Sequence, residues 1–212
     1  MTVTRLRRAI GVAMVLIGIA LVVWVTWPVR STSQGMRYSY GENISPPAEW
    51  AGVRPPPALA NGEITVEYPS RIWLGNGGRV RATLAEVDKP TSCEGSDPTF
   101  DLFHLSGRLE LAGVPALPGS ELRQAIAPCQ PALLVWTIQP IKQGVYSGTL
   151  WLRILKPGAS DDGDQSFSVA AIPLEVRTEN LAGLSAPQAR LVGALAILTG
   201  LALNIDRVWR RN

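Results

Sequence analysis

An uncharged apolar run near the start of the chain is the feature that most restricts what this sequence can fold into. Residues 9–27 read AIGVAMVLIGIALVVWVTW, 19 positions without an acidic or basic side chain. A helix of that length extends about 29 Å at 1.5 Å per residue, close to the roughly 30 Å hydrocarbon core of a bilayer. The run therefore predicts a transmembrane helix over residues 9–27.

The residues that flank this run indicate its orientation. Arg5, Arg7 and Arg8 lie within residues 1–8, and Trp24 and Trp27 lie at the other end of the run. Arginine is enriched on the cytoplasmic side of membrane helices, and tryptophan is enriched at the interface. We therefore expect the N-terminal segment to be cytoplasmic and the chain that follows the run to be extracytoplasmic.

A cleaved signal peptide is the alternative interpretation of this run. Ser31-Thr32-Ser33 supplies small residues for a cleavage site. The apolar region of a signal peptide, however, usually extends over about 7–15 residues. The longer run found here favours a retained helix.

A second apolar segment, residues 185–205, lies near the C-terminus. Ser185 and Gln188 have the spacing of a capping box, and Pro187 fits a first helical turn, so the sequence specifies where a helix begins. Three arginines follow in residues 206–212, which predicts a cytoplasmic C-terminus. A buried helix of a soluble domain is the alternative, but the centre of the segment is apolar on every face, which favours a second transmembrane helix.

Small residues recur along the second segment with helical spacing. They are Ala189, Gly193, Ala196 and Gly200. Gly11 and Gly18 form a shorter stripe in the first segment. Small side chains on one face let another helix approach closely, so we predict a helix-packing surface against the other span or against a partner's helix. The alternative is that glycine and alanine are simply frequent in membrane helices.

The region between the two apolar segments divides by composition. Residues 28–60 contain proline clusters and no periodic apolar positions, which predicts an extended linker, because proline-rich chain favours the polyproline conformation. Residues 61–180 alternate apolar and polar positions in short runs that turn residues separate. The expected fold class is mainly β, with an extracytoplasmic antiparallel β-sandwich flanked by two transmembrane α-helices.

Individual runs predict the strands of this domain. Ile64, Val66 and Tyr68 alternate with polar residues, as do Val80, Ala82 and Leu84. The further predicted strands are Phe100–Leu105, Arg108–Leu111, Leu133–Gln139, Val145–Leu155 and Phe167–Thr178. The glycine-rich stretch Leu74–Gly78 predicts a turn, and it lacks the Lys-Ser/Thr of a phosphate-binding loop.

Charge and chemistry narrow the classes of function. Residues 28–187 carry 13 Lys/Arg against 16 Asp/Glu, a formal balance of −3, so we expect no nucleic-acid partner.

His104 is the sole histidine, and because no Gly-x-Ser-x-Gly motif is present, a polar position on a sheet is favoured over a catalytic triad. Asp161, Asp162 and Asp164 do not match the calcium-loop spacing, which favours a solvated hairpin loop over a metal site. We expect no enzymatic activity, no cofactor and no metal.

Residues 135–154 read VWTIQPIKQGVYSGTLWLRI and are followed by IPLEVRT and the terminal apolar segment. Through Trp136, Thr137, Pro140, Gly144 and Leu150, this part resembles uncharacterised bacterial membrane-anchored Ig-like β-sandwich proteins with a C-terminal transmembrane helix. The resemblance covers about the last third of the chain. It implies a fold and a membrane attachment, and it implies no reaction.

These features favour a non-enzymatic protein of the bacterial cytoplasmic membrane with two spans. Its expected role is that of an accessory subunit or interaction scaffold of a membrane complex. The expected partners are the lipid bilayer and another membrane or extracytoplasmic protein. The alternative is an extracytoplasmic ligand- or carbohydrate-sensing module, because Trp50, Trp73 or Trp151 could stack on sugars.

The first testable prediction is a disulfide between Cys93 and Cys129, the two cysteines of the sequence. Both lie in the region expected outside the cytoplasm, where thiols oxidise. Closing a loop of about 37 residues stabilises by roughly 4 kcal/mol in the chain-entropy model. Non-reducing peptide mass spectrometry should detect the cross-linked pair, and two free thiols after rapid alkylation would contradict it.

Overall fold

The computed structural model describes residues 3–27, 30–39, 57–87, 103–127, 130–156 and 166–205. Within these ranges the chain forms three helices and ten strands. In chain order they are α1 (Val3–Thr26), β1 (Ser31–Ser39), α2 (Pro57–Ala60), β2 (Asn61–Pro69), β3 (Arg71–Trp73), β4 (Gly78–Glu86), β5 (His104–Leu111), β6 (Ala116–Leu117), β7 (Glu121–Ala125), β8 (Ala132–Ile138), β9 (Gly144–Leu155), β10 (Ser166–Glu179) and α3 (Ala186–Ile205).

The strands form two five-stranded sheets. The first has the order β1-β2-β4-β8-β6, and the second has the order β3-β10-β9-β5-β7. The pairing of β3 with β10 is parallel, and the other pairings are antiparallel. The domain is mainly β as predicted, but its second sheet is mixed. The difference arises at Pro69, which ends β2 and has no N–H to donate; after Ser70 the chain continues as β3 in the other sheet.

The inward-facing residues of both sheets share one hydrophobic core. Trp136 of β8 is the largest of the fully buried side chains in the described residues. Gly107 of β5 leaves room for it, because a β-carbon at Gly107 would lie 2.7 Å from an atom of the Trp136 ring. The alternating residues Ile64, Val66 and Tyr68 are buried, as their spacing predicted. The sheets therefore pack face to face as a sandwich.

The structure differs from the predicted linker over residues 28–60. Ser31–Ser39 form β1, an edge strand antiparallel to β2, and Pro57–Ala60 form the short helix α2. Strand β1 shows no apolar alternation because its described side chains are mostly exposed, so its backbone hydrogen bonds hold it in the sheet. The Pro46-Pro47 pair and Trp50 lie outside the described residues.

The longer strands agree with the sequence pattern, and the shorter ones were not predicted. Strands β8, β9 and β10 match the predicted runs to within about two residues, within the usual uncertainty of boundary assignment. The predicted runs 100–105 and 108–111 contribute to one strand, β5, which begins at His104. Strands β3, β6 and β7 contain three, two and five residues, too few for alternation to reveal them.

The second testable prediction concerns Gly148 of β9, which lies against the backbone of β5. A β-carbon at Gly148 would collide with the carbonyl oxygen of Glu110 and lie 2.8 Å from the Cα of Leu111, both backbone atoms that cannot rotate away. Gly148→Ala should therefore destabilise the protein by about 1–3 kcal/mol, the usual cost of overpacking. Thermal unfolding of the full chain in mild detergent measures this loss.

Gly119→Ala is the matched control, because the nearest atom to a β-carbon there is 3.9 Å away. It should unfold near the temperature of the parent protein. Equal unfolding temperatures for both variants would show that the β5–β9 approach is looser than the structure indicates.

Candidate functional site: the helix pair and its junction with the sandwich

The two long helices, α1 and α3, lie side by side and antiparallel. Gly18 of α1 faces Gly193 of α3, and Gly11 faces Gly200. The start of α1 is therefore beside the end of α3. The predicted apolar spans 9–27 and 185–205 correspond to these two helices.

Reciprocal glycine contacts determine how closely the helix backbones approach. A β-carbon on Gly18 would lie 2.5 Å from the carbonyl oxygen of Gly193, and a β-carbon on Gly193 would lie 2.9 Å from that of Gly18. The second pair repeats this arrangement, with 3.1 Å from Gly11 to the oxygen of Gly200 and 2.6 Å in the other direction. Such spacing brings Cα–H groups against carbonyl oxygens, and only glycine fits at all four positions.

The contacts recur every seven residues on both helices. Val25, Gly18 and Gly11 on α1 are spaced by seven, as are Ala186, Gly193 and Gly200 on α3. Val25 and Ala186 belong to one buried cluster, which continues the two glycine pairs toward the sandwich. A strict seven-residue spacing keeps one seam of each helix facing the other, as in coiled coils.

The remaining residues of the predicted stripe lie at or near this seam. Ala189 is fully buried, and Ala196 is half-buried. Ala186 was missed by the sequence analysis, although its distance from Gly193 is the same seven residues that separate Gly11 from Gly18. Asn204 also packs here, because its Nδ2 donates to the Gly200 carbonyl at 2.7 Å.

The faces of α1 and α3 that point away from the seam are apolar and exposed. Their large exposed side chains are Leu6, Ile10, Val12, Leu16, Ile17, Ile19, Val23 and Trp24 on α1, and Leu191, Val192, Leu195, Leu198 and Leu201 on α3. Both helices are long and apolar enough to cross a membrane, over Arg5–Thr26 and Ala186–Asn204.

Leu74, in the turn between β3 and β4, joins the sandwich to α3 through its backbone. Its N–H donates to the Glu179 carbonyl at the end of β10 at 2.8 Å, and its own carbonyl accepts from the Ala186 N–H at the start of α3 at 2.7 Å. Gly75 follows with φ +83°, which a turn of this kind requires and which glycine adopts without strain. A β-carbon on Gly75 would lie 2.9 Å from Pro187, so the turn packs directly on the first turn of α3.

Side chains strengthen the same junction. The Arg190 guanidinium donates to Asn76 Oδ1 at 3.0 Å, which connects α3 to the β3–β4 turn. The rings of Trp24 and Trp73 lie 6.4 Å apart between centroids, which connects α1 to β3. Between these contacts Val25, Ala186 and Ala189 form a buried cluster, against which Trp73, Leu181 and Leu184 pack.

The start of α3 has the local chemistry that the sequence predicted. The Ser185 N–H donates to Gln188 Oε1 at 2.9 Å, which is the Gln half of the capping box. Before it, Ala182 and Gly183 both have positive φ, and Leu181 and Leu184 exchange two backbone hydrogen bonds. This tight turn redirects the chain from β10 into α3.

Of the other predicted site residues, only His104 lies in a described range, and it is not part of this junction. His104 is half-buried in β5. Cys93, Cys129 and the Asp161, Asp162 and Asp164 cluster lie outside the described residues. Among the residues that the structure does describe, no group of three His, Cys, Asp or Glu side chains is placed to hold a metal ion.

The tryptophans proposed for sugar stacking have different surroundings. Trp73 is half-buried against Trp24 in the junction, so its ring has a structural partner. Trp151 lies on β9 and is 38% exposed, which leaves it accessible.

The third testable prediction concerns the glycine seam. Replacing Gly193 and Gly200 together by isoleucine should push the helices apart and destabilise the protein by about 2–6 kcal/mol, from roughly 1–3 kcal/mol at each overpacked site. Unfolding of the full chain in detergent measures the effect. Leu191 and Leu198, which are 62% and 63% exposed on the opposite face, provide the control when both are replaced by isoleucine. Equal stability of the two double variants would mean that the seam does not hold the helices together.

No family model matches the chain, and no curated protein matches it. Among solved structures, the chain is similar to an ASH/PapD-like domain of human CEP192, its PapD-like domain 7, with 9% identity and a TM-score of 0.31. The similarity covers 68% of this chain and 99% of that domain. A TM-score this low does not establish a common fold.

Proposed function

We propose that this protein is a non-enzymatic accessory subunit or interaction scaffold of a membrane complex in the bacterial cytoplasmic membrane. Two transmembrane helices would hold its Ig-like sandwich at the outer face. The observation that carries this proposal is the junction, where Leu74 bonds to both the last strand of the sandwich and the first turn of α3.

Helix length and exposure support the membrane part of the proposal. At 1.5 Å per residue, α1 extends about 36 Å and α3 about 30 Å, which matches the hydrocarbon core of a bilayer. Only 17% and 22% of their most apolar windows is buried within the chain. The core helix of a soluble protein would be mostly buried, so these helices are better matched to lipid than to water.

The antiparallel arrangement supports a topology with both termini in the cytoplasm. Arg5, Arg7 and Arg8 precede the apolar part of α1, and the chain after α3 carries three more arginines. Because the start of α1 lies beside the end of α3, the chain leaves α3 at the same end of the helix pair at which α1 begins. Arginine is enriched on the cytoplasmic side, which would leave the sandwich outside.

The rigid junction supports a scaffold more than a freely moving binder. Contacts from both helices to the β3–β4 turn and to β3 restrict rotation of the sandwich about the helix axes. A surface held at constant height and orientation loses less orientational freedom when a second membrane protein binds it. That advantage would be absent from a domain on a flexible tether.

The fourth testable prediction is that a membrane protein co-purifies with the chain. Purification of the full chain in mild detergent, followed by mass spectrometry, should recover one partner in stoichiometric amount. Inserting Gly-Ser-Gly-Ser after Gly183 should loosen the junction and sharply reduce recovery, while the chain stays in the membrane fraction. Gly183 already lies in the turn between β10 and α3, so the insertion changes the connection and not the core.

The same insertion after Gln130 is the control, because Gln130 and Pro131 are exposed and precede β8 at its end opposite the β3–β4 turn. Recovery of the partner should then equal that of the parent. A chain that purifies alone would contradict the subunit proposal, and a lone chain that retains a glycan would favour the sensing alternative through Trp151.

A further inference from the structure

The most exposed large apolar side chains of the sandwich are not scattered evenly. In the described part of the domain, three of them are more than half exposed: Leu117 at 55%, Ile141 at 75% and Val145 at 53%. We call these three residues the apolar rim. Single exposed apolar residues are ordinary on protein surfaces, so their positions in the fold decide whether they matter.

Strand register places the apolar rim at one end of the sandwich. Val145 is opposite Arg177, two residues before β10 ends at Glu179. Leu117 is opposite Thr137, at the end of β8, and Ile141 lies in the connection from β8 to β9. All three therefore lie at the same end of the sandwich as the last residue of β10, where the chain continues toward α3.

Helix α1 joins the sandwich at this same end. Strand β1 follows α1, and its first residue, Ser31, is opposite Pro69 at the end of β2. Trp24 in the last turn of α1 and Trp27 directly after the helix are 56% and 67% exposed. Tryptophan at a helix end is typical of the membrane interface, so the end of the sandwich that carries the apolar rim faces the same plane.

We propose that the apolar rim lies in the headgroup region of the bilayer and forms a third contact with the membrane, beside the two helices. The inference rests on the proposed function, because it requires α1 and α3 to span the membrane. The molecule that contacts the apolar rim is phospholipid. The rim lies at the end of the sandwich to which both helices connect, and the junction contacts prevent the sandwich from turning this end away.

The composition of the β8–β9 connection fits a phospholipid interface. Ile141 supplies an apolar side chain that can enter the acyl boundary, and Lys142, also exposed, supplies an ammonium group for lipid phosphates. Such a contact is weak in isolation. Here the two helices already hold the sandwich at the surface, so the contact forms at high effective concentration and needs little intrinsic affinity.

The alternative occupant is a partner protein, and the experiment separates the two. A diazirine-bearing amino acid is introduced into the full chain at position 141 or 117, and its adducts are identified by mass spectrometry after illumination of native membranes. Position 16 is the positive control, because Leu16 is 62% exposed on α1. Position 133 is the matched negative control, because Leu133 is an exposed apolar residue near the opposite end of β8.

Lipid adducts at positions 16, 117 and 141, in several-fold excess over those at 133, are the expected result. Lipid adducts at 16 together with protein adducts, or none, at 117 and 141 would overturn the inference and leave the membrane attachment intact. Absence of lipid adducts at 16 would overturn the membrane attachment and the apolar rim together.

Discussion

The position of the β-sandwich relative to the helix pair depends on the backbone of Leu74. One peptide N–H bonds to the end of β10 and one carbonyl bonds to the start of α3. These groups cannot change rotamer, so they define position more narrowly than a side-chain contact would. Gly75 makes the arrangement possible, because its positive φ turns the chain while leaving Pro187 room to pack. The β3–β4 turn of the sandwich therefore packs directly on the first turn of α3.

The glycine seam, formed by Gly11, Gly18, Gly193 and Gly200, continues the close packing of the junction along the helix pair. In a membrane, hydrophobicity alone would give apolar helices little reason to associate, and close backbone approach would have to supply the dispersion contacts. The two glycine pairs provide that approach, and the cluster of Val25, Ala186 and Ala189 continues it into the junction. Because β1 follows α1 and α3 follows β10, the paired helices also bring the first and last strands of the domain to one end.

The sequence predicted those features whose signal is local. Apolar length identified α1 and α3, alternation identified the long strands, and the Ser185–Gln188 spacing identified the helix start. Strand β1 was missed because an edge strand with exposed side chains needs no apolar pattern. The junction was missed for a different reason: it joins residues near position 75 to residues near 188, and neither segment carries a motif that refers to the other. The polar contact of Arg190 with Asn76 is equally non-local.

Rigid coupling also determines what a binding event on the sandwich can do. When a partner binds a domain on a flexible linker, the domain can move relative to its membrane anchor, because the linker changes conformation at little cost in free energy. In this protein a displacement of the β3–β4 turn acts directly on the first turn of α3, and through Trp24 and Trp73 on the end of α1. The helix seam has no spare volume in which to absorb it, because its glycines already touch opposing carbonyls. The sandwich and helix pair should therefore move as one body, and a partner that binds the sandwich would fix the helices as well.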